Sequence, residues 1–255
     1  MVQPWQTGKI IRIENETENT RRFWIQLPSL SSFDFKPGQF VTIDLPIHEK
    51  PNKRWRSYSI ASWPDGTNVF ELVIVLLEGG AGTTYLFNEC SVGSELTLRG
   101  AQGVFVLPEK IDRDLFFICT GTGIAPFRSM ANHILNHNLP HENIYLIFGC
   151  RKFADCLYET EFRELSEHLP RFYYIPTFSR EMADNSARPF RTGYVHPIYE
   201  EICSNNSRCM EGENQPVLKP ANFYLCGWKN MIDEAKQRIQ ALGYDRKSIH
   251  QELYG

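Results

Sequence analysis

The stretch Asp114-Leu115-Phe116-Phe117-Ile118-Cys119-Thr120-Gly121-Thr122-Gly123-Ile124-Ala125-Pro126 decides how this chain is read. Asp114–Cys119 is a short, nearly continuous apolar run, the mark of a strand buried on both faces. A glycine-rich loop follows. Pro126 then stands where proline is tolerated, in the first turn of a helix, which the pattern carries over Pro126–Leu135. Onward from there, a strand (Ile144–Phe148), a helix (Tyr158–Leu169), a strand (Phe172–Phe178), a strand (Phe223–Cys226) and a helix (Met231–Leu242, stopped by Gly243) follow. This alternation predicts a parallel sheet with helices on both faces. The polar stretch Ser204–Pro220 reads as a long surface loop.

The segment before Pro108 follows a different grammar. Lys9–Ile13, Arg22–Leu27, Gln39–Leu45, Tyr58–Ala61, Phe70–Leu77 and Glu95–Arg99 are short runs rich in β-branched and aromatic residues. Turn signals bound them, among them Lys36-Pro37-Gly38 and Pro64-Asp65-Gly66, and one helix (Thr83–Glu89) interrupts them. Strands at this spacing suggest a barrel or sandwich. The change of grammar at Pro108–Arg113 sets two domains, 1–108 and 109–255, and a chain of 255 residues is long enough for both.

Composition excludes several classes. A net charge of −3 argues against a strongly basic nucleic-acid binder. Apolar runs such as Leu72–Leu77 fall far short of the ~18 residues a membrane helix needs, and MVQPWQTGKI has no apolar signal-peptide core. Seven cysteines without a regular framework predict reduced thiols in a cytoplasmic protein.

Two motifs carry chemistry. In Thr120-Gly121-Thr122-Gly123, the glycines let a ligand approach the backbone, and the following helix start offers free N–H groups to a phosphate. Spacing alone also allows a tight turn without a ligand. In Arg56-Ser57-Tyr58-Ser59, strand alternation puts Arg56 and Tyr58 on one face, as a clamp for a phosphate and a flat ring or as a cross-strand pair.

Taken together, these residues resemble the ferredoxin–NADP reductase superfamily over nearly the whole chain. Arg56-Ser57-Tyr58-Ser59 is similar to its R-x-Y-S flavin motif, and Gly80-Ala81-Gly82-Thr83 to its G-x-x-S/T motif. Gly121–Pro126 resembles its dinucleotide loop, Tyr224-Leu225-Cys226-Gly227 its cysteine–glycine strand end, and Glu252-Leu253-Tyr254 its acidic, aromatic C-terminus. The resemblance implies an N-terminal antiparallel β-barrel that binds FAD and a C-terminal Rossmann-like parallel α/β domain that binds NADP. It implies that Arg56, Gly82 and Thr83 hold the FAD pyrophosphate, that Tyr58 stacks on the isoalloxazine, and that Ser59 lies near flavin N5. Cys226 and Glu252 would line the nicotinamide pocket. Tyr254 would cover the opposite flavin face, with Gly255 the one residue beyond it. The coenzyme would lie on Thr120, Gly121, Thr122 and Gly123.

A 2′-phosphate needs cations, whereas a free 2′-hydroxyl usually meets a carboxylate. Ser179-Arg180, at the carboxyl edge of the third parallel strand, resembles the family's 2′-phosphate site, and Arg151 resembles a second arginine there. A third family arginine is replaced by Tyr194, a candidate adenine stacker, with Arg188 or Arg191 as candidate substitutes. The expectation is therefore NADPH.

The remaining features are weaker. His133 and His137 lack a third metal ligand. Cys150/Cys156 and Cys203/Cys209 are not C-x-x-C pairs, and no iron–sulfur spacing is present, so a separate electron acceptor is expected. Lys50, Lys53, Arg54 and Arg56 form a basic run suited to an acidic carrier or to solvent. The expected function is hydride transfer between NADPH and FAD, with single electrons passed to or from ferredoxin or flavodoxin on another chain. The alternatives are an NADH-dependent flavin reductase or oxygenase reductase component, and an FAD-holding subunit of a larger redox complex.

Overall fold

A computed structural model of the chain describes residues 3–181, 190–207 and 217–254. The chain divides into two compact units, Met1–Leu107 with Ala125–His137, and Pro108–Ile124 with Asn138–Gly255.

The first unit is an antiparallel sheet of six strands in the order β4-β3-β6-β1-β2-β5. The strands are β1 (Gln6–Thr17), β2 (Thr20–Gln26), β3 (Phe40–Asp44), β4 (Trp55–Ser59), β5 (Val69–Val75) and β6 (Glu95–Gln102), with helix α1 (Ala81–Asn88) between the last two. Just beyond β4 the Ala61 amide donates to the Glu71 carbonyl at 2.8 Å, so the two edge strands meet and the sheet curls closed. Alternation packs Ile10, Phe23, Ile25, Val41, Ile43, Phe70 and Leu72 into one core.

The second unit is a parallel sheet in the order β10-β9-β8-β7-β11-β12. Its strands are β7 (Asp114–Thr120), β8 (Ile144–Cys150), β9 (Phe172–Phe178), β10 (Arg191–Thr192), β11 (Ala221–Trp228) and β12 (Ile249–Tyr254). Helices α2 (Ala125–Asn136), α3 (Glu159–His168), α4 (His196–Asn206) and α5 (Lys229–Ala241) interrupt the strands in chain order, α2 packing with the first unit. The central strand β7 is buried from Asp114 through Cys119, as its unbroken apolar run requires.

Three features depart from the sequence reading. The alternation of strand and helix gives no hint that α2 packs with the first unit. Arg128 on α2 is 5% exposed and donates to the Ala61 carbonyl (3.0 Å) and the Glu71 carboxylate (3.1 Å), which explains the placement. Helix α4 was not foreseen, and its last turn takes Ser204–Asn206 from the surface loop read over Ser204–Pro220. Part of that loop lies outside the described residues, as do Arg188, Cys209 and Gly255. The chain's last described residues form strand β12, paired in parallel with β11.

Glu71 is 2% exposed and also accepts two bonds from Arg22, at 2.6 and 3.0 Å. Removing one member of a buried ion network leaves its partners charged in a dry site, at a cost of about 3–5 kcal/mol. Glu71→Gln should therefore lower unfolding free energy by about that amount in urea titrations. Arg12→Ala, which breaks the exposed pair with Glu14, should change it by about 0.5 kcal/mol or less.

Candidate cofactor sites

In the first unit the site begins at β4. Antiparallel pairing with β3 sets Arg56 opposite Ile43 and Tyr58 opposite Val41. Arg56 and Tyr58 are half-buried, and the alternation is clear from their exposed neighbours Trp55 and Ser57. One guanidinium nitrogen of Arg56 donates to the carbonyls of Lys53 (3.1 Å) and Trp55 (2.8 Å), which anchors the side chain at its root. Burial pushes the Tyr58 hydroxyl up to about 12, against the opposing pull of Arg56, so it remains protonated. Ser59 is the last residue of β4 and is 5% exposed.

Gly82, far from Arg56 in sequence, lies against it. A Cβ on Gly82 would fall 3.0 Å from Arg56 Cγ and 3.1 Å from its Nε. The arginine therefore crosses the first turn of α1, and glycine leaves it room. The Gly80 N-cap supplies no side-chain acceptor, so the first-turn amides of α1 remain available, and the helix dipole favours an anion there. Thr83 plays a different part from the one its hydroxyl suggests. That hydroxyl donates to the Gly80 carbonyl and accepts from the Leu77 amide, both at 3.1 Å, which fixes the loop entering the helix. The guanidinium and the helix start together fit a pyrophosphate, which needs two negative charges matched. A cleft of about 290 Å³ in this unit, lined by Arg12, Arg22, Trp24, Trp63, Glu71 and Arg128, includes none of these residues.

In the second unit the glycine loop turns once (Gly121–Ile124) after β7. A Cβ on Gly123 would fall 2.4 Å from the Cys226 carbonyl oxygen, and one on Gly227 would fall 2.4 Å from Thr120 Oγ1. The two strand ends thus touch backbone to backbone. Thr120 Oγ1 is buried with no hydrogen-bond partner among the described residues. An orphaned hydroxyl on a glycine cradle fits a nucleotide that supplies the missing partner.

Cys226 on β11 is fully buried, with Cys119 of β7 and Glu252 of β12 in register on either side. Burial pushes its thiol well up and the Glu252 carboxylate adds to the effect, with nearby Tyr254 opposing them, so Cys226 stays neutral. Tyr254 is half-buried and pairs in register with Trp228, which is 53% exposed. The sequence reading passed over Trp228, although an aromatic directly after the cysteine–glycine pair was its visible signal.

The residues suspected of reading a phosphate also converge. The Ser179 amide donates to the Cys150 carbonyl (3.0 Å) and the Arg180 amide to the Arg151 carbonyl (2.8 Å). Arg151 pairs with Asp155 at 3.2 Å. Arg180 is exposed, and its side chain has no ion-pair or hydrogen-bond partner among the described residues. Arg191 is held by both oxygens of Glu201 at 3.0 Å, which weakens it as a substitute; Tyr194 is 74% exposed. Within the basic run, Arg54 is committed to Asp44 at 2.7 and 2.8 Å. No group of three His, Cys, Asp or Glu among the described residues is placed to hold a metal.

An anion cradle on an antiparallel barrel and a glycine cradle at the carboxyl edge of a parallel sheet define a two-domain flavin- and pyridine-nucleotide-dependent oxidoreductase. Residues 7–107 match the oxidoreductase FAD-binding domain and residues 117–237 the oxidoreductase NAD-binding domain. The chain belongs to the ferredoxin–NADP reductase superfamily. It is 31% identical to ferredoxin–NADP reductase B of Sorangium cellulosum over 88% of this chain and 86% of that protein. It is 29% identical to the phenol hydroxylase P5 protein of Acinetobacter pittii over its whole length, which spans 66% of that relative. Solved structures of like fold include the Amycolatopsis cytochrome P450 reductase GcoB (TM-score 0.83, 24% identity, 99% of this chain and 71% of that one). Another is a Neisseria gonorrhoeae ferredoxin NADP+ reductase (TM-score 0.76, 24% identity, 98% of both chains). The chain is thus a flavoenzyme of electron transfer whose cofactors are FAD and a pyridine nucleotide. None of its described helices is long and apolar enough to cross a membrane.

The Gly82 contact makes a sharp prediction. Alanine is a better helix former than glycine by about 1 kcal/mol, so Gly82→Ala should not lower the melting temperature of the flavin-free protein. The new methyl must push Arg56 aside, so the ratio of flavin to protein absorbance should fall.

Proposed function

We propose that this enzyme interconverts NADPH and NADP+ in preference to NADH and NAD+ and exchanges single electrons with a separate ferredoxin or flavodoxin. The observation that carries the coenzyme preference is Arg180, an exposed guanidinium held by its backbone beside Ser179 and Arg151 and matched to no carboxylate among the described residues. A site for a free ribose would instead present an acid. FAD held there would supply a hydride acceptor that can also pass on single electrons, which is the chemistry a carrier protein needs.

The chain's own residues supply the rest. Arg56 and the start of α1 hold the pyrophosphate, Thr83 by shaping the loop rather than by its hydroxyl. Tyr58 offers a neutral aromatic face, and Ser59 a hydroxyl where the strand ends. Thr120 to Gly123 receive the coenzyme backbone. Cys226 and Glu252 line the nicotinamide end. There the neutral thiol adds no charge, while the carboxylate favours the cationic, oxidised ring. Tyr254, on β12 two residues beyond Glu252, guards that end and has to yield before the ring is productively bound. The six free cysteines among the described residues suit a cytoplasmic setting.

A second reading keeps the chemistry and changes the partner. Relatives named as oxygenase parts, such as the anthranilate 1,2-dioxygenase electron transfer component of Acinetobacter baylyi (29% identity, 54% of that protein covered), favour an oxygenase reductase component, the partner that the sequence alternative joined to NADH. Stopped-flow reduction of the flavoprotein by NADPH and by NADH, followed by ferredoxin, flavodoxin or free flavin, separates the two. Faster flavin reduction by NADH would overturn the coenzyme assignment, and the absence of any turnover with dye acceptors would point to an FAD-holding subunit.

Two substitutions sharpen the test. A charge-assisted contact contributes about 1.5–3 kcal/mol, so Arg180→Ala should raise the NADPH KM roughly 10- to 100-fold and leave the NADH KM nearly unchanged. Equal loss for both would make Arg180 structural. Tyr254→Ser should tighten binding of either coenzyme and slow product release, because no ring has to be displaced. Tyr254→Phe keeps the ring and loses only the hydroxyl, so its coenzyme affinity should stay near that of the native enzyme. If Ser and Phe behave alike, the ring is not what competes with the coenzyme.

A further inference from the structure

Arg99 on β6 belongs to neither cofactor site. It is half-buried, and its Nε is buried with no hydrogen-bond partner among the described residues. Two indoles hold it instead. Its guanidinium carbon lies 4.6 Å from the centre of the Trp5 ring and 4.7 Å from that of Trp55. The two rings also touch each other, with centres 5.6 Å apart and planes tilted by 47°. Trp5 and Trp55 are each 37% exposed, so one cation and two aromatic rings form a cluster at the surface of the first unit. A guanidinium over an indole face is attracted by the ring's quadrupole, and more strongly where water is partly excluded.

This cluster reaches across four strands to the end of the sheet. Trp5 precedes β1, whose first residue pairs with Leu98, the neighbour of Arg99. Arg99 lies opposite Thr42 of β3, and Thr42 lies opposite Ser57 of β4, the end strand. The hydroxyls of Thr42 and Ser57 are 3.0 Å apart, and the Gln102 side-chain amide donates to Thr42 Oγ1 at 2.9 Å. Trp55 and Ser57 share this face of β4, while Arg56 and Tyr58 occupy the other. Trp55 joins the two faces. Its indole is held by Arg99, and its carbonyl accepts from the Arg56 guanidinium at 2.8 Å, the shorter of the two bonds that anchor that side chain. Any turn of Trp55 about the strand therefore shifts the acceptor that aims Arg56.

We propose that Arg99 is a positioning residue for the flavin, acting from the opposite face of the strand: by fixing the Trp55 indole it fixes the Trp55 carbonyl, and so the guanidinium of Arg56. This role rests on the placement of the FAD pyrophosphate at Arg56 proposed above. The chain of contacts runs from a cation held by rings, through one backbone carbonyl, to a cation left free to meet an anion. Each link is a single named contact, so each can be removed by itself.

The full chain, stripped of flavin, should be titrated with FAD as the native protein, as Arg99→Ala, Arg99→Lys and Arg56→Ala, and with Arg56→Ala and Arg99→Ala combined. Arg99→Ala should raise the FAD dissociation constant about 5- to 30-fold. Arg99→Lys keeps a cation over the indoles and should recover most of that loss. On the Arg56→Ala background, removing Arg99 should add less than about twofold, because the group that it positions is already gone. A merely structural role predicts the same fold loss on both backgrounds. That result, or unchanged FAD binding in Arg99→Ala, would overturn the proposal. The two failures separate cleanly. If Arg56→Ala leaves FAD binding unchanged, the pyrophosphate is misplaced and the positioning role falls with it. If Arg56→Ala weakens FAD and Arg99→Ala does not, the flavin placement stands and Arg99 alone is excluded. Should Arg99→Ala not fold, Trp5→Ala removes one ring of the cluster and leaves the cation on Trp55. It should weaken FAD in the same direction by a smaller factor, and no change there would overturn the role of the cluster.

Discussion

Close approach of backbone to backbone at the carboxyl ends of β7 and β11 is the constraint on which the second unit's site depends. Neither strand end could carry a side chain at Gly123 or Gly227, because a Cβ there would sit 2.4 Å from an atom of the opposite strand end. Contact this tight leaves Thr120 Oγ1 buried with no partner among the described residues and sets Cys226 in register beside Cys119. A bulkier loop would separate the strand ends and let water satisfy the threonine. The first unit uses the same device with a different visitor: at Gly82 it is the Arg56 side chain that passes through the space. In both places a missing Cβ brings together groups whose charges or hydrogen bonds a phosphate-bearing ligand would complete.

Ion pairing divides into structural and available charge along similar lines. Glu71 is surrounded by Arg22 and Arg128 in a nearly dry site, and this network fastens α2 to the strands of the first unit. Arg54 and Arg191 are each held by both oxygens of an acid, and such forks are geometrically complete. Arg56 is different: its bonds go to backbone carbonyls, which orient a guanidinium without neutralising it. Arg180 is anchored by its own amide alone. Of these arginines, Arg56 and Arg180 keep their charge available, which is what an anionic cofactor would require of them.

Much of this was legible in the sequence because it depends on local spacing. The apolar run of β7 and the alternation of β4 are visible residue by residue, and the R-x-Y-S and glycine motifs stand beside them. What was not legible depends on which surfaces meet. Helical periodicity shows that α2 has an apolar face and says nothing about which core receives it. The clue was a charge pair, Arg128 within an apolar helix and Glu71 within an apolar strand, and neither residue signals its partner alone. Helix α4 did carry a local signal, with Pro197 in its first turn and Ile198, Tyr199, Ile202 and Cys203 along one face, but the polar stretch after it drew the boundary too early. Strand β12 is short and shows only weak alternation, so its pairing with β11 becomes visible when the register sets Glu252 beside Cys226.

Thr83 illustrates how a motif residue can act through the backbone that it fixes. A threonine at the start of a helix in a flavin motif invites the reading that its hydroxyl binds phosphate. Here the hydroxyl is fully used by the Gly80 carbonyl and the Leu77 amide, and breaking either bond would strand a polar group at a residue that is 8% exposed. The groups left to meet an anion are the first-turn amides of α1, which the hydroxyl holds in place by fixing the loop that leads into them. A serine would offer the same oxygen at the same point, so the motif's tolerance of either residue follows from this backbone role, and a valine would fill the space while releasing the loop. The residue type is set by what the loop needs in order to present its amides, and the ligand is recognised one step away from the side chain that the motif names.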